Sequence, residues 1–165
     1  MATKTYFTSE ERARLLSSPM VTGMAITAAD PSGVWGLVKE GMAGGWALIE
    51  ARQDAQANSL IKLWQRISEG RTAARSALQS RFKGANVSAL KNTALAELKI
   101  ICDVLDAKAP DDAAAFKAWL QQVAQKAAAA GTEGGFLGFG GVAVSDAEKA
   151  TLSEISIALN RQSER

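Results

Sequence analysis

Any chemistry in this chain has to run without imidazole. The sequence contains no histidine and a single cysteine, Cys102. That removes the Ser-His-Asp and Cys-His catalytic devices, the ordinary catalytic zinc site and any imidazole proton shuttle. One thiol forms neither an internal disulfide nor a multi-thiolate zinc site. Cys102 sits in the apolar run from Leu98 to Leu105, the setting of a buried structural cysteine rather than a reactive one. Carboxylates, lysines and hydroxyls remain. Glu40 and Glu50 are ten residues apart on one expected helix, nearly three turns, so they share a face but stand well separated. Solvated surface carboxylates are expected there rather than an acid-base pair.

The strongest anomaly is the run from Glu133 to Val142, in which five of ten residues are glycine and Phe136, Leu137 and Phe139 stand between them. Glycine allows tight turns and close backbone approach. A glycine loop leading into a helix could also cradle an anion on the helix's amide groups. The surrounding residues argue against that use. No Gly-Lys-Ser/Thr ending follows, no basic residue lies between Glu133 and Asp146, and Asp146 and Glu148 already place negative charge at the next helix start. The three apolar side chains are therefore expected to pack on the rest of the protein or to dock on a partner, either an unidentified protein or a second copy of the chain.

Charge is unevenly distributed. Residues 62–99 carry eight basic side chains against Glu69 and Glu97, whereas the whole chain is only +2. Arg71 and Arg75 lie one turn apart near the aromatics Trp64 and Phe82, but both aromatics fit apolar helical stripes. A solvated or partner-facing basic surface is expected, and nucleic-acid binding is not.

These residues must be positioned by helices. No alternating strand pattern with turn dipeptides stands out, and the expected fold is all-α, a single domain forming a bundle of six or seven helices. Apolar residues at 47% and charged residues at 22% of a 165-residue chain are those of a globular domain with a real core. Residues 1–7 form a lead-in. Thr8 to Glu11 is a capping box that opens a helix expected to run to about Ser18, with Leu15 and Leu16 inward. Pro19 is expected to start a second segment over residues 20–29, with Met20, Val21, Met24 and Ile26 on one side. Asp30 and Pro31 punctuate the chain before a stripe of Trp35, Val38, Met42, Trp46 and Ile49. The pattern resumes with Leu60, Ile61, Trp64 and Ile67, so one helix or two fits residues 34–68.

Residues 87–105 return to strong periodicity through Leu90, Leu95, Leu98, Ile101, Cys102 and Leu105. Residues 106–110 read as a link, and Pro110, Asp111 and Asp112 start the next helix, with Phe116, Leu120 and Val123 as its stripe and Trp119 beside them. The Gly/Phe-rich loop, residues 131–144, follows. Ser145 to Glu148 forms a second capping box before Leu152, Ile155 and Leu159. The two box segments, Thr8-x-x-Glu11-Arg12-Ala13-x-Leu15 and Ser145-x-x-Glu148-Lys149-Ala150-x-Leu152, share a pattern that would follow from a weak pseudo-twofold relation between the ends. Capping boxes are common enough to produce it independently.

An uncharged stretch, Leu15 to Ala29, fails as a signal peptide because Glu10 and Glu11 precede it and Ser17, Ser18, Pro19, Thr22 and Gly23 interrupt it. No run has the roughly 18 apolar residues a membrane span needs. A cytoplasmic protein without a membrane partner is expected.

From Ala118-Trp119-Leu120 through Glu133–Gly141 to Val144–Leu152, the final third resembles a group of small bacterial all-helical proteins of uncharacterised function, whose ends are in turn similar to the tellurite-resistance (TerB-like) family. An alanine-rich helix, an acidic residue and glycine in a loop, and a Ser/Thr-x-x-Glu-capped helix ending Ile-x-x-x-Leu carry the resemblance. Glu133, Gly134, Ser145, Glu148, Ile155 and Leu159 lie on that pattern, and Ala29-Asp30 with Gly33 and Glu40 echoes it. The chain departs from it in having Glu-Gly where the family has Asp-Gly, and in the Phe/Gly insert. The resemblance implies a stress-response role and divalent-cation binding at acidic positions, here Asp30, Glu40, Glu133, Asp146 and Glu148. A hard cation needs several converging oxygens. No calcium-loop spacing is present, and helix capping accounts for most of these carboxylates without a metal.

The expected function is accordingly a non-enzymatic helical interaction or stress-response module that docks through Phe136, Leu137 and Phe139. The alternative is a regulator that binds a divalent cation or small ligand through the acidic set.

Overall fold

The computed structural model describes residues 7–29, 80, 83, 87–133 and 146–160. Four helices account for nearly all of them: α1 (Ser9–Thr27), α2 (Val87–Lys108), α3 (Pro110–Glu133) and α4 (Asp146–Asn160). No strand occurs among the described residues. The expected all-α class is observed among the described residues. The one or two helices expected over residues 34–68, and with them the count of six or seven, lie outside the described residues.

Thr8 opens α1 as the sequence predicts. Its backbone is extended, with φ −64° and ψ 165°. Its hydroxyl accepts from the Glu11 amide at 3.1 Å while its own amide donates to Glu11 Oε2 at 2.7 Å. Two amides at the helix start are thus satisfied reciprocally.

The expected stop at Ser18 does not occur. α1 is one helix from Ser9 to Thr27 with Pro19 inside it. Proline has no amide hydrogen, so the carbonyl four residues before it, that of Leu15, loses its helical donor. Ser18 Oγ fills that place, donating to the Leu15 carbonyl at 2.7 Å. Two further hydroxyls bond back along the same face, Ser17 Oγ to the Arg14 carbonyl and Thr22 Oγ1 to the Ser18 carbonyl, each at 2.9 Å. All three side chains are buried. Polar residues that would weaken an exposed helix here let a proline-containing helix enter a core without an orphaned acceptor.

The expected link at residues 106–110 also contracts. α2 continues to Lys108, and Pro110 is already the first residue of α3. Ala109 alone lies between them. Its amide donates to the Leu105 carbonyl at 2.8 Å, ending α2, while its carbonyl accepts from Asp112 and Ala113 at 3.0 and 2.9 Å, beginning α3. Pro110 fits because the first helical residue needs no amide partner, and Asp111 and Asp112 suit the positive end of the helix dipole.

Every helix touches the other three, enclosing one core. α2 contributes Leu90, Ala94, Leu98, Ile101, Cys102 and Leu105, and α3 contributes Ala113, Phe116, Trp119, Leu120, Val123, Ala124 and Ala128. Val21, Ala25 and Ile26 come from α1, and Thr151, Ile155, Ala158 and Leu159 from α4. Phe116 and Trp119 meet edge to face, with ring centroids 5.2 Å apart and planes at 64°, a favoured arrangement for two aromatic quadrupoles. The expected stripes on α2, α3 and α4 are therefore the core faces. α3 runs on through Glu133, so residues 131–133 of the expected loop are helical.

Candidate functional site

The five acidic positions do not share one described site. Asp146 lies exposed in the first turn of α4, with one carboxylate oxygen 3.7 Å from Lys149 Nζ. Glu148, two residues on, is half-buried. Glu133 is the last residue of α3. Asp30 and Glu40 lie outside the described residues, as do Phe136, Leu137, Phe139 and Ser145. Among the described residues no three histidine, cysteine, aspartate or glutamate side chains converge on a point that could hold a metal ion.

The polar geometry that does converge lies between helices. Arg14 Nη1 donates to both carboxylate oxygens of Glu97 at 2.6 Å, and Arg14 Nη2 reaches Glu10 Oε1 at 2.9 Å. Glu97 is 7% exposed, so this pairing compensates a desolvated charge at the α1–α2 seam. Burial works against the Arg14 charge, but the Glu10 hydrogen bond and the attraction of Glu97 outweigh it and raise the guanidinium pKa. Further along the seam, Lys108 Nζ donates to Glu11 Oε2 at 2.7 Å, the oxygen that also accepts from the Thr8 amide. That lysine contact, followed by the Thr8 amide, holds the Glu11 carboxyl below its ordinary value.

Lys117 Nζ lies 2.7 Å from both oxygens of Asp106, bridging α2 to α3 across Ala109. Lys91 and Glu154 join α2 to α4 at 3.2 Å. One signal in the sequence pointed to this architecture: Glu97 falls within the apolar stripe of α2, between Ala94 and Leu98, where a charge needs a partner. Its partner lies 83 positions away, and no helical periodicity names it.

Cys102 is buried, and burial pushes its thiol up to about 12, the nearby Lys117 opposing only in part. It is a protonated core side chain, as its apolar setting predicts, and has no nucleophilic thiolate at neutral pH.

Two large apolar side chains stand outside the core among the described residues, Ile100 on α2 at 42% exposure and Ile157 on α4 at 64%. No described helix is long and apolar enough to cross a membrane.

The class that fold and geometry define is a protein all-helical in its described residues, with ion pairs joining α1 to α2, α2 to α3 and α2 to α4. Comparison with models of known protein families, with curated proteins and with solved structures returned no match. The TerB-like resemblance accordingly rests on the quoted residues alone.

Proposed function

We propose that the protein is a non-enzymatic helical interaction module that docks through its Gly/Phe segment, with Phe136, Leu137 and Phe139 as the contacting side chains. The anchoring of both flanking helices carries this reading. α3 is held in the core by Phe116, Leu120, Val123 and Ala128, and α4 by Ile155, Ala158 and Leu159, and residues 134–145 are the stretch of sequence that joins these two anchored helices. A segment tethered at both ends loses less conformational freedom on docking than an open tail. Ile157 adds an exposed apolar residue to the helix that follows the segment. A stress-response role and a cytoplasmic setting belong to the same proposal, and the stress-response role draws its support from the TerB-like resemblance.

The test is a thermal melt of wild type and a Phe136→Ser/Phe139→Ser variant, run beside sedimentation velocity at rising protein concentration. Docking on a second copy predicts loss of self-association with an unchanged Tm at dilutions where the wild type is monomeric, and a Tm lowered at those dilutions would assign both rings to the protein's own core. Melts with millimolar Ca²⁺, Mg²⁺, Mn²⁺ or Zn²⁺ cover the cation-binding alternative. A rise in Tm that Glu133→Ala or Glu148→Ala abolishes would replace docking with a cation-responsive regulator.

A further inference from the structure

α1 is one helix by its hydrogen bonds but is held in two different ways. Residues 15–29 contain no charged side chain, so every α1 ion pair is made by its first half. Of these, Glu11–Lys108 and Arg14–Glu97 reach α2. The second half is held by Val21, Ala25 and Ile26 in the core, with Met20 and Met24 packed against it. Between the halves the helix is built to yield. Pro19 supplies no amide, and the Leu15 carbonyl is held by a serine hydroxyl instead of the backbone. One turn on, a Cβ added at Gly23 would meet nothing within 4 Å. The site has room for alanine, which would stiffen the helix, yet carries the residue that loosens it.

We propose that α1 is a latched arm: residues 9–18 swing away from α2 about Pro19 when the Arg14–Glu97 and Glu11–Lys108 pairs open, while residues 20–27 stay in the core. The helical repeat places Glu97, Ile101, Val104 and Lys108 on one strip of α2, and the two ion pairs put α1 over that strip. Ile100 borders it and is already exposed. Opening the arm uncovers a surface continuous with that isoleucine and gives up the burial of Phe7, Leu15, Ser17 and Ser18. The device does not depend on the Gly/Phe segment.

Hydrogen exchange read by mass spectrometry on the intact protein tests it, using peptides covering residues 7–18 and 19–28. Wild-type residues 7–18 are expected to exchange about tenfold or more faster than residues 19–28 and the α3 and α4 peptides and with a weaker dependence on urea, and Glu97→Gln is expected to speed residues 7–18 with that gap preserved. Glu11→Gln, at a more exposed pair, gives the same pattern at smaller amplitude and keeps the test available if Glu97→Gln fails to fold. Restoring the backbone donor with Pro19→Ala in the Glu11→Gln background is expected to make the two α1 peptides exchange together. Equal rates and equal urea dependence in the two α1 peptides with Pro19 intact, or no acceleration of residues 7–18 in either latch variant, would overturn the proposal.

Discussion

Ser18 Oγ lies 2.7 Å from the Leu15 carbonyl oxygen, the acceptor that Pro19 leaves without an amide donor. A hydroxyl one residue before the proline thus repairs the gap that the proline makes. If that is the reason for the serine, its value depends on the proline. Ser18→Ala is expected to cost about 1–3 kcal/mol, the penalty of stranding a buried acceptor. In a Pro19→Ala background, where residue 19 regains its amide, the same change should cost less by about 1 kcal/mol or more. Urea denaturation of the four proteins closes the cycle, and equal costs in both backgrounds would refute the repair.

The Arg14–Glu97 pair should behave as a desolvated contact rather than a surface bridge. Glu97→Gln or Arg14→Met is expected to destabilise by about 2–3 kcal/mol. That is below the ~3–5 of a fully buried pair because Arg14 keeps Glu10 and part of its exposure. Lys91→Met, at the more exposed pair with Glu154, should stay below about 1 kcal/mol. Chemical denaturation at fixed salt distinguishes the two classes.

Acid should act on Glu11 in a predictable direction. Its folded carboxyl is held below the ordinary 4.5, so the folded state takes up its proton less readily than the unfolded chain. The contribution is complete above about pH 4.5 and disappears as pH falls through the lower folded value. The stability difference between wild type and Glu11→Gln should be constant at neutral pH and shrink through that acidic window. A difference that instead grew with acid would contradict the contact with Lys108.

Cys102 gives the opposite pH dependence. Its ordinary thiol value of 9.0 rises to about 12 in the fold, so the unfolded chain ionises first and stability falls as pH climbs from 9 towards 12. At pH 8 the native thiol should resist alkylation by iodoacetamide and react readily once denaturant is added. Rapid native labelling would mean that the core around Leu98, Ile101 and Leu105 opens locally.

The helices were legible where periodicity and capping agree. Thr8 and Glu11 announced the start of α1, and Leu90 to Leu105, Phe116 to Val123 and Leu152 to Leu159 announced the buried faces of the other three helices. Boundaries failed where a residue's usual effect was offset by a neighbour. Pro19 reads as a stop, but Ser18 removes the main reason for stopping. Pro110 reads as the end of a link, but Ala109 serves two helices at once and leaves no link to see. Long-range pairing was not legible. Glu97 advertised a need for a partner without naming Arg14, because sequence spacing carries no information about which helices become neighbours. For the candidate site, the expected burial of Cys102 is observed. The positions of Asp30, Glu40, Phe136, Leu137 and Phe139 lie outside the described residues.

The single-residue junction at Ala109 has one more consequence. With no slack between α2 and α3, the azimuths of the two helices are geared: a turn of α2 about its axis must carry α3 with it. One residue inserted at that point would advance α3 by about 100°, carrying Phe116 and Leu120 out of the core and bringing neighbours such as Ala115 and Ala118 towards it. At this corner the chain length itself sets the angular phase of the packing, much as tooth spacing sets the mesh of two wheels.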